Sequence, residues 1–212
     1  MILRNNSRRR RERGSASVEF ALCVILFWMP MFLGMGVIGI NLIRAVQVTQ
    51  VCRDAGHMYA NGTDFSQTTY QNLLVSLAIG LNMTTSGGNG VVILSTVMYV
   101  DSNACTNGGY QANSSSCPNL NYIVFIQRIV VGNSSIHSSN LGSPNSADLN
   151  SSGVVSTAGY LTDTSNRVAN FSNIIPLTSG EMAYVSEMYT TSPDTSWCPF
   201  LSTPTISAFA VF

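Results

Sequence analysis

The sequence predicts an α+β fold in which a long N-terminal membrane-spanning helix continues into a domain with a small, mostly antiparallel sheet. Three observations predict it. An uncharged apolar run extends from Phe20 to Ile43. Helical spacing of apolar residues carries on beyond Arg44. Four runs rich in β-branched and aromatic residues then follow, all beyond residue 90. Helices first and strands later is the order of an α+β domain, with the sheet packed on the helix that precedes it.

The run from Phe20 to Ile43 has 24 residues, a helix of about 36 Å at 1.5 Å per residue. That length crosses a bilayer with some tilt. A removable secretory signal would be shorter and would be followed by a small-x-small site, which is absent here, so the run reads as retained. Pro30 removes one backbone donor and crowds the carbonyl of Leu26, and Gly34, Gly36 and Gly39 weaken the same stretch. Neighbouring helices re-satisfy such freed groups inside a membrane.

Beyond Arg44, Val48, Val51, Cys52, Ala55, Met58 and Tyr59 recur at three- and four-residue spacing and form one apolar stripe. Gly62 is the expected stop, which closes the anchor region at 15–62. A second helix is expected from Asp64, as cap, through a stripe of Tyr70, Leu73, Leu74, Leu77, Ala78 and Leu81. Ser86-Gly87-Gly88-Asn89-Gly90 then breaks the chain.

Strands are expected at Val91 to Val100, Tyr122 to Val131, Met182 to Thr190 and Thr205 to Phe212. The second is nearly continuous in apolar residues, so a central position is expected for it, and Glu187 in the third is expected to face water. Between the second and third lies a polar tract, 132–173, dominated by Ser, Asn, Thr and Gly. Its composition predicts too little apolar burial to offset ordering entropy, hence a mobile surface loop. A loop this long is often functional, and an adhesive surface is the alternative reading. Residues 63–212 thus form one α+β domain.

Net charge is zero, but it is unevenly placed. Residues 1–14 hold six arginines and one glutamate, and the remainder holds four arginines, nine acids and no lysine. A basic segment before an apolar helix stays cytoplasmic, which sends residues 45 onward across the membrane. The acidic remainder offers no nucleic-acid footprint. Glu19 stands as a lone carboxylate at the entrance to the apolar run. Charge there is expensive, so such an acid is a functional candidate.

The basic leader ending in Gly14, followed by Ser15-Ala16-Ser17-Val18-Glu19-Phe20-Ala21-Leu22 and the apolar run, resembles a type IV prepilin. Within that group it resembles the TadE/TadG-like minor pseudopilins of the tight-adherence (Flp) pilus system. The stretch Cys52-Arg53-Asp54-Ala55-Gly56-His57-Met58-Tyr59-Ala60 is similar to that family's pattern of small residues, an Arg–acid pair, Gly, an aromatic and Ala. The resemblance covers residues 8–62 well and the remainder loosely. It implies a pilin-like domain in a bacterium and cleavage between Gly14 and Ser15 by a prepilin peptidase. Glu19 and Phe20 are then the residues that serve processing and subunit assembly. It implies as partners the peptidase, other pilins or pseudopilins, the assembly platform and membrane lipid. Under it, the segment 26–39 either holds an ordinary kink at Pro30 or stretches when the helix moves from bilayer to filament.

Of the five cysteines, Cys23 lies in the apolar run. Cys105 and Cys117 flank the connection between the first two strands and are expected to pair, since an exported domain meets an oxidising compartment. Cys52 and Cys198 remain as a possible second bridge. No metal site is expected: Cys52 and His57 are five apart, which does not put them on one helix face, and there is no CxxC. No nucleophile elbow, phosphate loop or dinucleotide glycine pattern occurs, and the acids are scattered singly. No enzyme and no cofactor are expected. Six Asn-x-Ser/Thr triplets read as compositional in a chain rich in these residues. Two functions stay open: a minor pseudopilin or assembly component processed after Gly14, and an uncleaved signal-anchored protein with an exported binding domain.

Overall fold

The computed structural model describes residues 16–192 and 205–212. The chain divides into two units, Met1–Ile43 and Arg44–Phe212. One helix, α1, runs from Ala16 to Ala60 and so belongs to both.

In the first unit, α1 is apolar on all sides, and its most apolar window has no buried side chain. Leu26 and Phe27 are each 73% exposed. Val24–Trp28 forms a π-helical turn, closed by the Met29 N–H donating to the Val24 carbonyl. Pro30 follows directly. A π turn before a proline is a local solution to its missing donor, because widening the helix re-aims the carbonyls that the ring would crowd.

In the second unit, α1 becomes amphipathic. Val48, Val51, Cys52, Ala55 and Tyr59 are buried, as the spacing predicts. The helix ends at Gly62 (φ +86°) in a Schellman turn. The Gly62 N–H donates to the Tyr59 carbonyl and the Thr63 N–H to the Met58 carbonyl, both at 3.0 Å. Helix α2 spans Thr68–Leu77. Its cap differs from expectation: Gln67 holds that position. Asp64 instead accepts from the Ser66 N–H and hydroxyl, closing a local turn ahead of the helix. The stripe also divides. Leu74, Ala78 and Leu81 are buried, whereas Tyr70, Leu73 and Leu77 are exposed.

The strands are β1 (Gly90–Tyr99), β2 (Ile123–Gly132), β3 (Met182–Thr191) and β4 (Thr205–Val211). They form one antiparallel sheet in the order β2-β1-β3-β4. The short helices α3 (Ser102–Asn107) and α4 (Thr157–Thr162) lie in the connections. One face of the sheet, with Val92, Leu94, Ile129, Val131 and Met188, packs with α1 and α2. On the other, Val97, Phe125 and Val185 pack with Leu141, Val155 and Phe171. The last three belong to the polar tract.

Three expectations are therefore corrected. First, β2 lies at the sheet's edge and β1 is central. The apolar run of β2 fits a strand that supplies Ile129 and Val131 to one core and Phe125 to the other, although Val130 is exposed, and whose edge is partly covered by tract backbone. The Arg128 N–H donates to the Gly153 carbonyl at 2.7 Å, and the Val155 N–H to that of Ile126 at 2.8 Å. At Gly153 (φ +72°) a Cβ would meet the Arg128 carbonyl oxygen at 2.1 Å, so this close approach requires glycine. Second, the tract 132–173 contributes buried side chains: Leu141, Val155, Leu161 and Phe171 are each 2% exposed or less. Its few apolar residues are concentrated where they meet the sheet. Third, Glu187 does not face water but is 1% exposed beneath that tract. Its Oε1 accepts from the Asn140 N–H at 3.3 Å and the Tyr189 hydroxyl at 3.1 Å.

Candidate functional site

The site that the sequence singles out is the entrance to α1. Gly14 and Ser15 lie outside the described residues. Glu19 and Phe20 lie in the first two turns of α1, Phe20 at 71% exposed. The whole interval Phe20 to Ile43 is helical within Ala16–Ala60, which is long and apolar enough to cross a membrane.

The second stretch, 52–60, is where α1 meets the sheet. The Tyr59 hydroxyl bonds to Thr96 Oγ1 at 2.7 Å and donates to Gln127 Oε1 at 3.1 Å. Its ring meets Tyr184 edge-on at 5.5 Å. Burial pushes the phenol's pKa up to about 12. Gly56 lies under the ring of Phe212, where a Cβ would come within 2.2 Å of a ring carbon. His57 meets the same ring at a tilt, with centroids 4.4 Å apart. The small residue, the aromatic and the glycine in this stretch are thus packing choices. A glycine on an otherwise apolar helix face is the sequence signal for such a close approach.

Cys105 and Cys117 are joined in a disulfide, with Cα atoms 6.0 Å apart. It sits in a small core with Val100, Val124 and Leu161. Cys52 is a free, buried thiol that donates to the Ser186 carbonyl at 3.2 Å. Burial pushes its pKa up. Cys198 lies outside the described residues. Cys23 is an exposed thiol on α1. The tract carries a polar network: Asp163 accepts from Asn145 Nδ2 at 2.8 Å and from the Ser165 hydroxyl at 2.6 Å. These bonds, those from Asn145 first, hold its carboxyl down at about 2. Asn166 Nδ2 donates to Asp148 at 2.7 Å, and Arg167 Nε to Asn119 at 2.8 Å. The Arg167 guanidinium also lies 3.6 Å from the centre of the Tyr122 ring. Among the described residues, no three His, Cys, Asp or Glu side chains converge as metal ligands would. The second histidine, like the first, lies against a ring: His137 stacks on Tyr189 at 4.0 Å.

A helix long and apolar enough to cross a membrane, with a carboxylate near its start, thus precedes a packed α+β domain, an order that fits a single-pass membrane protein. Residues 14–57 match the family model described as TadE-like protein, consistent with a component of the Tad pilus system. The match opens on Gly14 and ends on His57, so it covers α1 and not the sheet. No curated protein matches the chain. No solved structure matches it either.

Proposed function

We propose that this chain is a minor pseudopilin or assembly component of a tight-adherence type pilus, processed by a prepilin peptidase after Gly14. The observation that carries the reading is the match to the TadE-like family over 14–57, which begins at the glycine before the expected cut. Cleavage removes the basic leader and leaves the amine of Ser15 as the new N-terminus, with Glu19 as the fifth residue. The Glu19 carboxylate then pairs with the Ser15 amine of a neighbouring subunit in an apolar bundle. Removing one partner of a buried pair costs about 3–5 kcal/mol, so such a pair enforces register between subunits. The unburied apolar surface of α1 needs lipid before assembly and neighbouring helices after it.

The leader's charge supports a cytoplasmic N-terminus and a domain outside the membrane from Arg44 onward, as a single-pass inner-membrane protein. The Cys105–Cys117 bridge fits an oxidising compartment. The role is structural, without catalysis or cofactor. Its partners are the peptidase, other pilins or pseudopilins and the assembly platform.

Intact-mass and N-terminal peptide analysis of the membrane-extracted protein, with and without a co-expressed prepilin peptidase, tests this. A peptidase-dependent N-terminus at Ser15 is expected. An N-terminus at Met1 in the presence of active peptidase would overturn the processing step and leave a signal-anchored protein. In a processed background, Glu19→Gln should leave cleavage intact and reduce incorporation into filaments by about a hundred-fold or more, the equivalent of 3 kcal/mol. Normal incorporation of that variant would remove the pairing.

A further inference from the structure

Thr96 of β1 and Gln127 of β2 are direct cross-strand partners, and one phenol joins their side chains. The Tyr59 hydroxyl donates to Gln127 Oε1 at 3.1 Å and lies 2.7 Å from Thr96 Oγ1. A phenol has one proton, and here it goes to the carboxamide oxygen, so the Thr96 hydroxyl donates to Tyr59. The bonds therefore run one way, from the threonine hydroxyl through the phenol to the glutamine carbonyl.

That direction suits the addition of an alcohol to an amide carbonyl. The attacking oxygen sheds its proton along the path by which the carbonyl oxygen gains one. Side chains of direct partners on one face start from Cβ atoms about 4.5–5.5 Å apart, so hydroxyl and carboxamide can close on each other without backbone movement. The carboxamide is held at both ends, since Gln127 Nε2 donates to the Ser152 carbonyl at 3.1 Å. The β1–β2 register shifts between Thr96 and Val97, the kind of bulge that re-aims side chains. Thr96 and Tyr59 are 5% and 4% exposed, which keeps bulk water from competing as the nucleophile. Groups held in this way react as if each were present at about 10⁵–10⁸ M, the advantage that an unactivated hydroxyl needs against an amide.

We propose that Thr96 and Gln127 react with each other to form an ester joining β1 to β2, a cross-link that the chain makes once on itself. Thr96 Oγ1 bonds to Cδ of Gln127 while its proton passes to Tyr59 and the Tyr59 proton passes to Oε1. The proton on Oε1 then moves to Nε2, the Cδ–Nε2 bond breaks, and the carbonyl re-forms. One alcohol and one primary amide give one ester and one ammonia; nothing is oxidised or reduced, and Tyr59 ends as it began. Ser152 lines an open pocket at the edge of β2, which gives the ammonia a way out. The cross-link stands whether or not the chain enters a filament, and as a single event it needs no turnover.

Mass analysis of the full chain, purified in detergent, tests it. Trypsin releases the peptide from Asp54 to Arg128, which holds both residues. After reduction of the Cys105–Cys117 bridge, this peptide is expected about 17 Da lighter than its sequence, the mass of the ammonia lost on covalent closure. Thr96→Val keeps the shape, removes the nucleophile and should restore the full mass, whereas Thr96→Ser should keep the deficit. Tyr59→Phe should slow the appearance of the lighter species by about a hundred-fold or more in a time course after synthesis; an unchanged rate would overturn the relay. A full-mass peptide from the unaltered chain would overturn the cross-link. A deficit that survives Thr96→Val would overturn it too, assigning the lost ammonia to an imide at an Asn-Gly pair such as Asn61-Gly62 or Asn89-Gly90.

Discussion

Between Ala16 and Ile43, helix α1 leaves its apolar side chains uncovered, whereas between Val48 and Tyr59 the same helix buries one stripe and leaves Arg53 and Asp54 exposed. The backbone element is continuous, yet the rule for choosing residues changes at Arg44. In the first part any apolar side chain serves, because the surroundings are uniform around the axis. In the second part each buried position named here answers to one neighbour: Gly56 to Phe212, Tyr59 to Thr96, Cys52 to Ser186. Residues in the first part are therefore exchangeable for stability of the domain, and residues in the second are not.

The strongest test of that contrast is truncation of one phenylalanine in each unit. Phe125→Ala, at a fully buried position, should cost the domain about 3–5 kcal/mol. Phe27→Ala should cost the domain nothing in a denaturant titration of the detergent-solubilised chain followed by near-UV circular dichroism. Equal losses would mean that the two units unfold as one. Next in size, opening the Cys105–Cys117 bridge by Cys105→Ser with Cys117→Ser should lower stability by about 3 kcal/mol in the chain-entropy account for a loop of this length. An unchanged midpoint would show that the surrounding core of Val100, Val124 and Leu161 suffices.

Two smaller effects are read against pH. The raised pKa of Tyr59, about 12 in the fold and about 10 in the unfolded chain, means that its contribution is full below pH ~10 and is lost as pH rises through ~12. Tyr59→Phe should lose about 1 kcal/mol at neutral pH and flatten the alkaline loss; an alkaline transition unchanged in the variant would assign it to another group. Asp163 behaves in the opposite sense. Its carboxyl, held at about 2 against about 3.9 when unfolded, contributes above pH ~4, and that contribution is lost as pH falls through ~2. Acid should therefore loosen the Asn145–Asp163 junction, read as faster amide exchange at Ser165, and Asp163→Asn should abolish that pH dependence.

Much of this architecture is legible in the sequence because local composition decides it. The four strands fall within a residue or two of the β-branched runs, and the stripe from Val48 to Tyr59 is the one that α1 buries. What composition does not carry is which surfaces meet. The apolar run of β2 fits the two cores it supplies and the tract that partly covers its edge, and the closest approach of that tract depends on Gly153. Glu187 looks like a surface residue in any strand pattern; its burial depends on Asn140, 47 positions earlier. A lone acid before a helix is usually its cap, but Ser66 offers Asp64 two nearer donors. At the candidate site, Glu19 is visible as a charge at the mouth of an apolar run.

The strand order β2-β1-β3-β4 has a consequence in time. β1 pairs with β2 across the connection 100–122, but its other edge waits for β3, which begins only at Met182, and β4 pairs with β3 alone. Closing so long a loop is entropically costly and slows folding. A chain emerging N-terminus first has α1 complete long before the strands that complete the sheet exist. Until then the buried stripe of α1 and the free edge of β1 stand open.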